Sequence, residues 1–405
     1  MSVLTISHPS SILEGTIPLS SSKSESNRAL VMQALSDGKI QLDNLAEARD
    51  TQTMIRLLQS SENVLDVLDA GTTMRFLTAF CALKRKNVTL TGTERMQQRP
   101  IAILVDALRT LGAKIDYVKN EGFPPIHIHS FSQVSDKVAV RGDVSSQYIS
   151  ALLMIAPCLP KGLQIELVGE IASRPYLEMT LDLLAHFGIK HEWKSQTISI
   201  PAQTYQSNHY IIESDWSGAS YWFSLVALAQ SSSLKLLHLR EKSLQGDRVM
   251  VEIASQLGVK STFTHDGVVL TKSNRQASFE YDFSDCPDLA QTVAVMCAGL
   301  GLRGKLTGLK SLRIKETDRI AAIQNELQKL GATVEVEGDE AILIHAGELN
   351  LSNQPLIQTY DDHRMAMAFA PLALFSPIRI EHPDVVKKSY PSFWEHLKII
   401  GFQMV

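Results

Sequence analysis

The sequence predicts an α/β protein built from two similar domains, each of three repeated units. Three observations carry that reading: a length of 405 residues, two kinds of helical segment that alternate along the whole chain, and Val/Ile/Leu-rich strand candidates ahead of most helices. A chain this long outgrows a single core, and two domains of about 200 residues are the natural division.

The first kind of segment starts polar or acidic, continues through small residues and ends in an Ala/Leu-rich run. It occurs as SSSKSESNRALVMQAL, DAGTTMRFLTAFCAL, RGDVSSQYISALLMIAP, ESDWSGASYWFSLVAL, SDCPDLAQTVAVMCAGL and TYDDHRMAMAFAPLAL. The second kind opens on a charged residue near a turn and runs on as an amphipathic helix. Four copies close on Leu-Gly or Phe-Gly: TERMQQRPIAILVDALRTLG, IASRPYLEMTLDLLAHFG, LQGDRVMVEIASQLG and IKETDRIAAIQNELQKLG. Looser copies, AEARDTQTMIRLLQS and KKSYPSFWEHLKIIG, stand near the two ends. The pairs recur at roughly 70 residues, which makes about six units. NVTLTG, LQIELVG, LKLLHL and ATVEVEG are the strand candidates. Ser, Asp and Thr at helix starts can cap free N–H groups. Pro100 and Pro175 suit a first turn, where no N–H is needed. Gly112, Gly188, Gly258 and Gly331 stand where helices end in a left-handed residue.

Composition narrows the function classes. Hydrophobic residues make up 44% and charged residues 20% of the chain, ordinary globular usage. No apolar run is long enough to span a membrane, and MSVLTISHPSSILEG lacks the pattern of a signal peptide, so a cytoplasmic location is expected. Cys81, Cys158, Cys286 and Cys297 are scattered and read as reduced core thiols. A net charge of −4 argues against a nucleic-acid partner. His127 and His129 alternate on a strand candidate and read as a solvated face rather than a metal pair.

The unusual polar residues gather at helix starts: Lys23-Ser24, Gly71-Thr72, Arg99, Ser145-Ser146-Gln147, Ser173, Tyr176, Asp288, Lys315-Glu316, Arg319 and Asp362-His363-Arg364. Helix N-termini offer free N–H donors and partial positive charge, so they bind anions. Lys and Arg there oppose the dipole. Lys23, Arg28, Arg99, Lys315, Arg319, Arg364 and Lys388 are therefore expected to face phosphates and carboxylates.

At this point the chain resembles a known family. SKSESNR at 22–28, AGTTMR at 70–75, RMQQRP at 95–100, SSQYISALLM at 145–154, SRPY at 173–176, PDLAQT at 287–292, KETDR at 315–319, DDHRMAM at 361–367 and KKSYP at 387–391 are similar to the motif series of the EPSP synthases, in that family's order. The resemblance implies an inside-out α/β barrel fold: two domains, each of three βαβαββ units, with substrates in the interdomain cleft. The domains are expected over residues 1–20 plus 213–405 and over 21–212. It also implies the activity. The enolpyruvyl group of phosphoenolpyruvate moves to the 5-hydroxyl of shikimate 3-phosphate and phosphate leaves, a step of the shikimate pathway to chorismate and aromatic amino acids.

Such chemistry needs an acid for C3 of the enol, a base for the hydroxyl, and cations for two phosphates and two carboxylates. It needs no cofactor or metal. By resemblance Asp288 takes the hydroxyl proton, Glu316 protonates C3 and Lys23 touches both substrates. Ser24, Arg28, Ser145, Ser146, Gln147, Ser173, Tyr176, Asp288, Ser311 and Lys315 would join Lys23 on shikimate 3-phosphate. Gly71, Arg99, Gln147, Arg319, Arg364 and Lys388 would join it on phosphoenolpyruvate. Glyphosate is expected to occupy the phosphoenolpyruvate space beside Gly71. Small molecules are the only partners implied, with no membrane and a monomeric enzyme.

Five positions depart from the family pattern. Ser20-Ser21 replace a usual Pro-Gly, which would loosen that crossing between domains. Asp69 and Ser311 replace usual Asn residues, and Phe76 replaces a usual Pro. Rival readings are weaker. The related transferase acting on UDP-N-acetylglucosamine uses a Cys in the loop that here reads ERMQQRP. A non-catalytic anion-binding relative would lack Asp288 or Glu316. A kinase or nucleotidase would need a GxxxxGK[ST] loop, which is absent.

Overall fold

A computed structural model describes residues 2–85 and 87–405. The chain forms two compact units. One takes the residues up to Ser22 together with Glu213–Val405, and the other takes Lys23–Ile212.

The described residues form twelve α-helices, which coincide one for one with the twelve alternating segments. The unit 23–212 holds α1 (Lys23–Leu35), α2 (Arg49–Gln59), α3 (Gly71–Lys84), α4 (Ala102–Leu111), α5 (Ser146–Ile155) and α6 (Arg174–His186). The other unit holds α7 (Trp216–Leu228), α8 (Met250–Gln256), α9 (Ala290–Gly299), α10 (Arg319–Lys329), α11 (His363–Phe369) and α12 (Phe393–Ile399). The first kind of segment gives the odd-numbered helices. α3 buries every residue from Thr73 to Ala82, and α7 every residue from Gly218 to Leu228. A helix apolar on all sides must be enclosed by protein. Accordingly α1, α3 and α5 pack on one another, and α7, α9 and α11 do the same. The even-numbered helices keep a wet face. α4, for example, buries Leu104, Val105, Ala107, Leu108 and Leu111, the stripe of a 3.6-residue period.

Sheets surround these helix triads. In one repeat Val64–Asp66 lies parallel to Val88–Thr91, which pairs antiparallel with Ile126–Phe131, itself antiparallel to Ala113–Tyr117. With α3 and α4 in between, the order is βαβαββ. The same arrangement recurs around the parallel pairs Lys137–Arg141/Leu163–Val168 and Ser278–Asp282/Arg303–Thr307. Two sheets of the second unit take strands from the start of the chain. Ile12–Ile17 runs parallel to Ser231–Leu237, and Val3–Ser7 runs antiparallel to both Ile378–Glu381 and Gln403–Met404. The remaining sheet is the parallel pair Gln41–Asp43/His209–Ile211. Helices inside and sheets outside make each unit an inside-out α/β barrel.

Local chemistry sets the helix ends. Ser145, Asp215, Asp318 and Asp362 cap α5, α7, α10 and α11 through their side chains. Gly112, Gly188, Gly258 and Gly331 close α4, α6, α8 and α10 with φ of 115°, 81°, 92° and 87°. Pro175 lies in the first turn of α6. Pro100 does not lie in a first turn. It precedes Ile101, the N-cap of α4, and its carbonyl accepts from Arg75 and from the Tyr148 hydroxyl. At Ser20–Ser22, Ser20 O accepts from Asp215 N at 2.9 Å and Ser22 N donates to Glu213 O at 2.8 Å. Cys81, Cys286 and Cys297 are buried, Cys158 is half-buried, and all four are free thiols. Among the described residues no helix is long and apolar enough to cross a membrane.

Candidate functional site

In the unit that carries Glu213–Val405, the predicted residues converge on one guanidinium. Arg319 opens α10 with its side chain only 2% exposed. Its Nε donates to Asp362 Oδ2 at 2.7 Å, Nη1 to Asp288 Oδ1 at 2.8 Å and Nη2 to Glu316 Oε2 at 2.9 Å. A planar guanidinium offers five N–H donors in a fixed fork, so it can meet three carboxylates at once. Burial lowers the Arg319 pKa, but Asp362, Glu316 and Asp288 outweigh it and raise it further above its ordinary value.

Asp288 sits on the turn Pro287–Leu289 that leads into α9. Besides Arg319 it meets Arg364 Nη2 at 3.1 Å and Lys315 Nζ at 3.6 Å. Burial pushes its carboxyl up. Arg364, Lys315 and Arg319 together more than offset that and hold it well below the usual carboxylate range. Glu316 lies just before α10 and also faces Lys388 Nζ at 3.5 Å. Lys388 ends the turn Pro383–Lys388 and is buried. Arg364, on the first turn of α11, donates through Nη1 to Asp288 O at 3.1 Å and reaches Ser217 Oγ with Nη2 at 3.5 Å. Ser311 lies on the neighbouring turn Lys310–Ile314.

The unit Lys23–Ile212 gathers the other predicted residues. Lys23 begins α1, and its Nζ pairs with Asp50 Oδ2 at 3.0 Å. Arg28, one turn on, is buried, and its hydrogen bonds go to neutral oxygens. Nε donates to Thr180 Oγ1 at 2.8 Å, Nη1 to Ser24 O at 2.9 Å, and Nη2 to Ser150 Oγ at 3.3 Å and Tyr176 O at 3.4 Å. Its guanidinium stands 5.3 Å from the Phe76 ring centre and 5.8 Å from that of Tyr176. Burial lowers it to about 10, against the opposing influence of Tyr176 and Glu25, so it remains a cation at neutral pH. Ser145 caps α5 by accepting from Gln147 N, Ser146 is the first residue of that helix, and Gln147 Nε2 donates to Thr72 Oγ1 at 3.2 Å. Ser173, the N-cap of α6, has φ 56°, a left-handed conformation uncommon for serine. Gly71 opens α3 against Arg99. A Cβ at Gly71 would stand 2.6 Å from Arg99 Nη1.

These contacts revise one expectation. Lys23, Arg319, Arg364 and Lys388 do not wait at helix starts for an external anion, because Asp50, Asp288, Glu316 and Asp362 already face them. Asp50 and Asp362, each within its own unit, face these cations, and neither was assigned a substrate in the sequence. Each looks like an ordinary helix-start carboxylate, and the partners lie 27 and 43 residues away. Two departures also find their setting. Both oxygens of Asp69 accept from Arg49 Nη2 at 2.9 Å, so a carboxylate here carries its own counter-charge. Phe76 is fully buried and lends its ring face to Arg28. Among the described residues no group of three or more His, Cys, Asp or Glu could hold a metal ion. His127 bonds Thr89, and His129 bonds Asp116.

Comparison with known proteins supplies independent findings. A family model described as EPSP synthase (3-phosphoshikimate 1-carboxyvinyltransferase) matches residues 7–61 and 56–397. A 3-phosphoshikimate 1-carboxyvinyltransferase of Bacteroides fragilis (strain YCH46) is 48% identical over 400 residues, 98% of this chain and 97% of the relative. One from Haemophilus influenzae (strain PittEE) is 36% identical over 425 residues, 97% of this chain and 98% of the relative. A solved EPSP synthase structure from Acinetobacter baumannii shares the fold, with a TM-score of 0.77 at 20% identity over 100% of both chains.

Proposed function

The chain belongs to the EPSP synthase family, and on that premise we propose that it moves the enolpyruvyl group of phosphoenolpyruvate onto the 5-hydroxyl of shikimate 3-phosphate, releasing phosphate. The reaction belongs to the shikimate pathway, and the enzyme acts as a cytoplasmic monomer on dissolved substrates. The observation that carries the reading is the meeting of Asp288 and Glu316 on Arg319, with Arg364, Lys315 and Lys388 against the same two carboxylates.

That cluster supports a division of labour. Phosphoenolpyruvate brings a phosphate and a carboxylate, which compete with Asp288 and Glu316 for Arg319, Arg364 and Lys388. Each cation that turns to the substrate releases a protein carboxylate for proton chemistry. Glu316, freed of Arg319 and Lys388, takes up a proton from solvent and serves as the acid at C3. Its proton creates positive character at C2, and the 5-hydroxyl attacks there. Asp288, held ionised by its cations, accepts the hydroxyl proton as the new C–O bond forms. A carboxylate so far below its usual range is a weak base. Its work is to orient the hydroxyl until attack makes that proton acidic and the substrate has drawn Arg364 away. Phosphate then leaves the tetrahedral adduct toward the cations that bound it, while Glu316, now a carboxylate, takes a proton back from the C3 methyl so that the C2–C3 double bond re-forms.

In the unit Lys23–Ile212, Arg28 is a buried cation whose hydrogen bonds go to neutral hydroxyl and carbonyl oxygens, with Glu25 also acting on it, and it is suited to an anionic group of shikimate 3-phosphate. Ser24, Ser145, Ser146, Ser173 and Tyr176 would add donors, Ser311 and Lys315 would do so from the other unit, and Gln147 would face both ligands. Gly71 and Arg99 would meet phosphoenolpyruvate, and Lys23 both substrates. The test is phosphate release from phosphoenolpyruvate with shikimate 3-phosphate or with UDP-N-acetylglucosamine as acceptor. Turnover with the first alone is expected. Turnover with only the second would overturn the reading.

A further inference from the structure

One buried carboxylate beside this cluster has no part in the steps above. Asp247 lies on the turn Gly246–Val249, which leads into α8, and is 2% exposed. Its Oδ2 accepts a hydrogen bond from the hydroxyl of Ser217, the second residue of α7. The same hydroxyl oxygen lies 3.5 Å from Arg364 Nη2, which also meets Asp288 Oδ2 at 3.1 Å. The contacts run across four elements: Asp247 to Ser217, Ser217 to Arg364, and Arg364 to Asp288.

We propose that Asp247 is a positioning residue for the reaction, acting through Ser217 to fix the orientation of the Arg364 guanidinium. This rests on reading Arg364 as a ligand of phosphoenolpyruvate. A hydroxyl has one proton and two lone pairs. An ionised Asp247 can only accept, so it claims the Ser217 proton and leaves the lone pairs of Oγ toward Arg364. At 3.5 Å that contact is long, and its effect is directional rather than strong. It gives Nη2 a second acceptor opposite Asp288 and resists rotation of the guanidinium plane when a substrate anion competes for it. A protonated Asp247 can donate to Oγ instead. The serine proton is then free to point at Arg364, and the acceptor is lost.

The surroundings place this change within reach of an assay. Burial, and then Asp288, raise the Asp247 carboxyl; Ser217 and Arg364 pull it down, Asp215 adds to the rise, and the outcome is about 6. Cys286 also faces Asp247, with its own thiol pushed well up by burial and then by Asp247, so it contributes no charge near neutrality. Orientation of Arg364 is therefore maintained above about pH 6 and relaxes below it.

Asp247→Asn, Ser217→Ala and the double variant test this by phosphate-release kinetics with each substrate varied between pH 5 and 8. One neutral hydrogen bond lost corresponds to roughly a 2- to 12-fold change. Both single variants should raise KM for phosphoenolpyruvate by that factor at pH 7.5, leave KM for shikimate 3-phosphate within about twofold, and show no further loss when combined. The wild-type advantage in kcat/KM over Asp247→Asn should shrink toward one below pH 6. Titration of the substrates cancels in that ratio. A structural role alone would raise both KM values together, or give a ratio flat with pH, and either result overturns the proposal. So does an unaltered KM for phosphoenolpyruvate in Ser217→Ala. A wild type that turns over normally while the variants match it overturns this role alone. A wild type that releases no phosphate overturns the reaction as well.

Discussion

Adding one methyl group at Gly71 is expected to damage phosphoenolpyruvate binding and little else. The Cβ of Gly71→Ala would lie 2.6, 2.8 and 2.9 Å from Nη1, Nη2 and Cζ of Arg99. Non-bonded heavy atoms prefer about 3.5–4.0 Å, so the guanidinium must retreat by roughly 1 Å. Arg99 is 8% exposed and has little room to do so. Overpacking of this kind costs about 1–3 kcal/mol, which corresponds to about 5- to 150-fold in KM for phosphoenolpyruvate. The backbone bears no strain, since Gly71 is not in the left-handed region. Alanine is also a better helix former than glycine by up to about 1 kcal/mol. That gain offsets part of the collision, so the melting temperature should fall only modestly.

Initial rates of phosphate release, with each substrate varied in turn, give the answer. KM for shikimate 3-phosphate should move less than about twofold, because its proposed ligands lie away from the collision. On an Arg99→Lys background the same methyl group should cost much less, since the colliding fork is gone. A KM for phosphoenolpyruvate within twofold of wild type, or equal rises for both substrates, would refute the steric reasoning. Because the collision is with a shared cation and not only with ligand, glyphosate and phosphoenolpyruvate should both weaken. Their discrimination should rise less than a clash with the inhibitor alone would give.

Glu316→Gln and Asp288→Asn should each lower kcat by about 10²-fold or more in steady-state assays. Asp288→Asn should in addition melt lower, with inorganic phosphate restoring part of the loss, because it leaves Arg319, Arg364 and Lys315 less well matched. Asp288 is depressed in the fold, so its stabilisation is present above its unfolded value and is lost as pH falls through the folded one. Denaturant titrations below pH 4 should therefore show a shallower pH slope for Asp288→Asn than for wild type. Asp247 has the opposite sign. Raised from 3.8 to about 6, it contributes stability below 3.8 that disappears as pH rises through 6. Wild type should lose about 2–3 kcal/mol relative to Asp247→Asn over that window. Phe76→Leu removes a ring face from Arg28 and should raise KM for shikimate 3-phosphate about 2- to 5-fold without moving that for phosphoenolpyruvate.

Helices were legible in the sequence because their causes are local. The Ala/Leu-rich segments became the enclosed odd-numbered helices, and Gly112, Gly188, Gly258 and Gly331 ended helices as glycine in the left-handed region does. Pro100 shows where local reasoning stops. Its position before IAIL suits a first turn, yet Arg75 and Tyr148 claim its carbonyl from other elements. The cations of the site could be named from their unfavourable place at helix starts. Their carboxylate partners could not. Asp50 before Thr51 and Asp362 before His363 differ in no local way from ordinary caps, and only tertiary folding brings them to Lys23 and Arg319. The counter-charge of Asp69 was hidden for the same reason, since Arg49 stands 20 residues earlier.

The pairing of the first strands with the last has a consequence for how the protein is made. Lys23–Ile212 is continuous, so everything it needs has left the ribosome before the rest of the chain exists. The other unit cannot close in that order. Val3–Ser7, synthesised before Lys23–Ile212, finds its partners only when Ile378–Glu381 and Gln403–Met404 emerge. Until then an early strand stays with unpaired edges, the kind of segment that chaperones hold and that mispairs between chains. Thr5 and Val405 exchange both backbone hydrogen bonds, at 2.8 and 3.0 Å, so a short peptide could join the two ends of the chain. A circularly permuted gene opened at Ser22/Lys23 would make both units continuous and remove the longest-range pairings from the folding problem. Its refolding should be faster and leave less aggregate than that of the natural order.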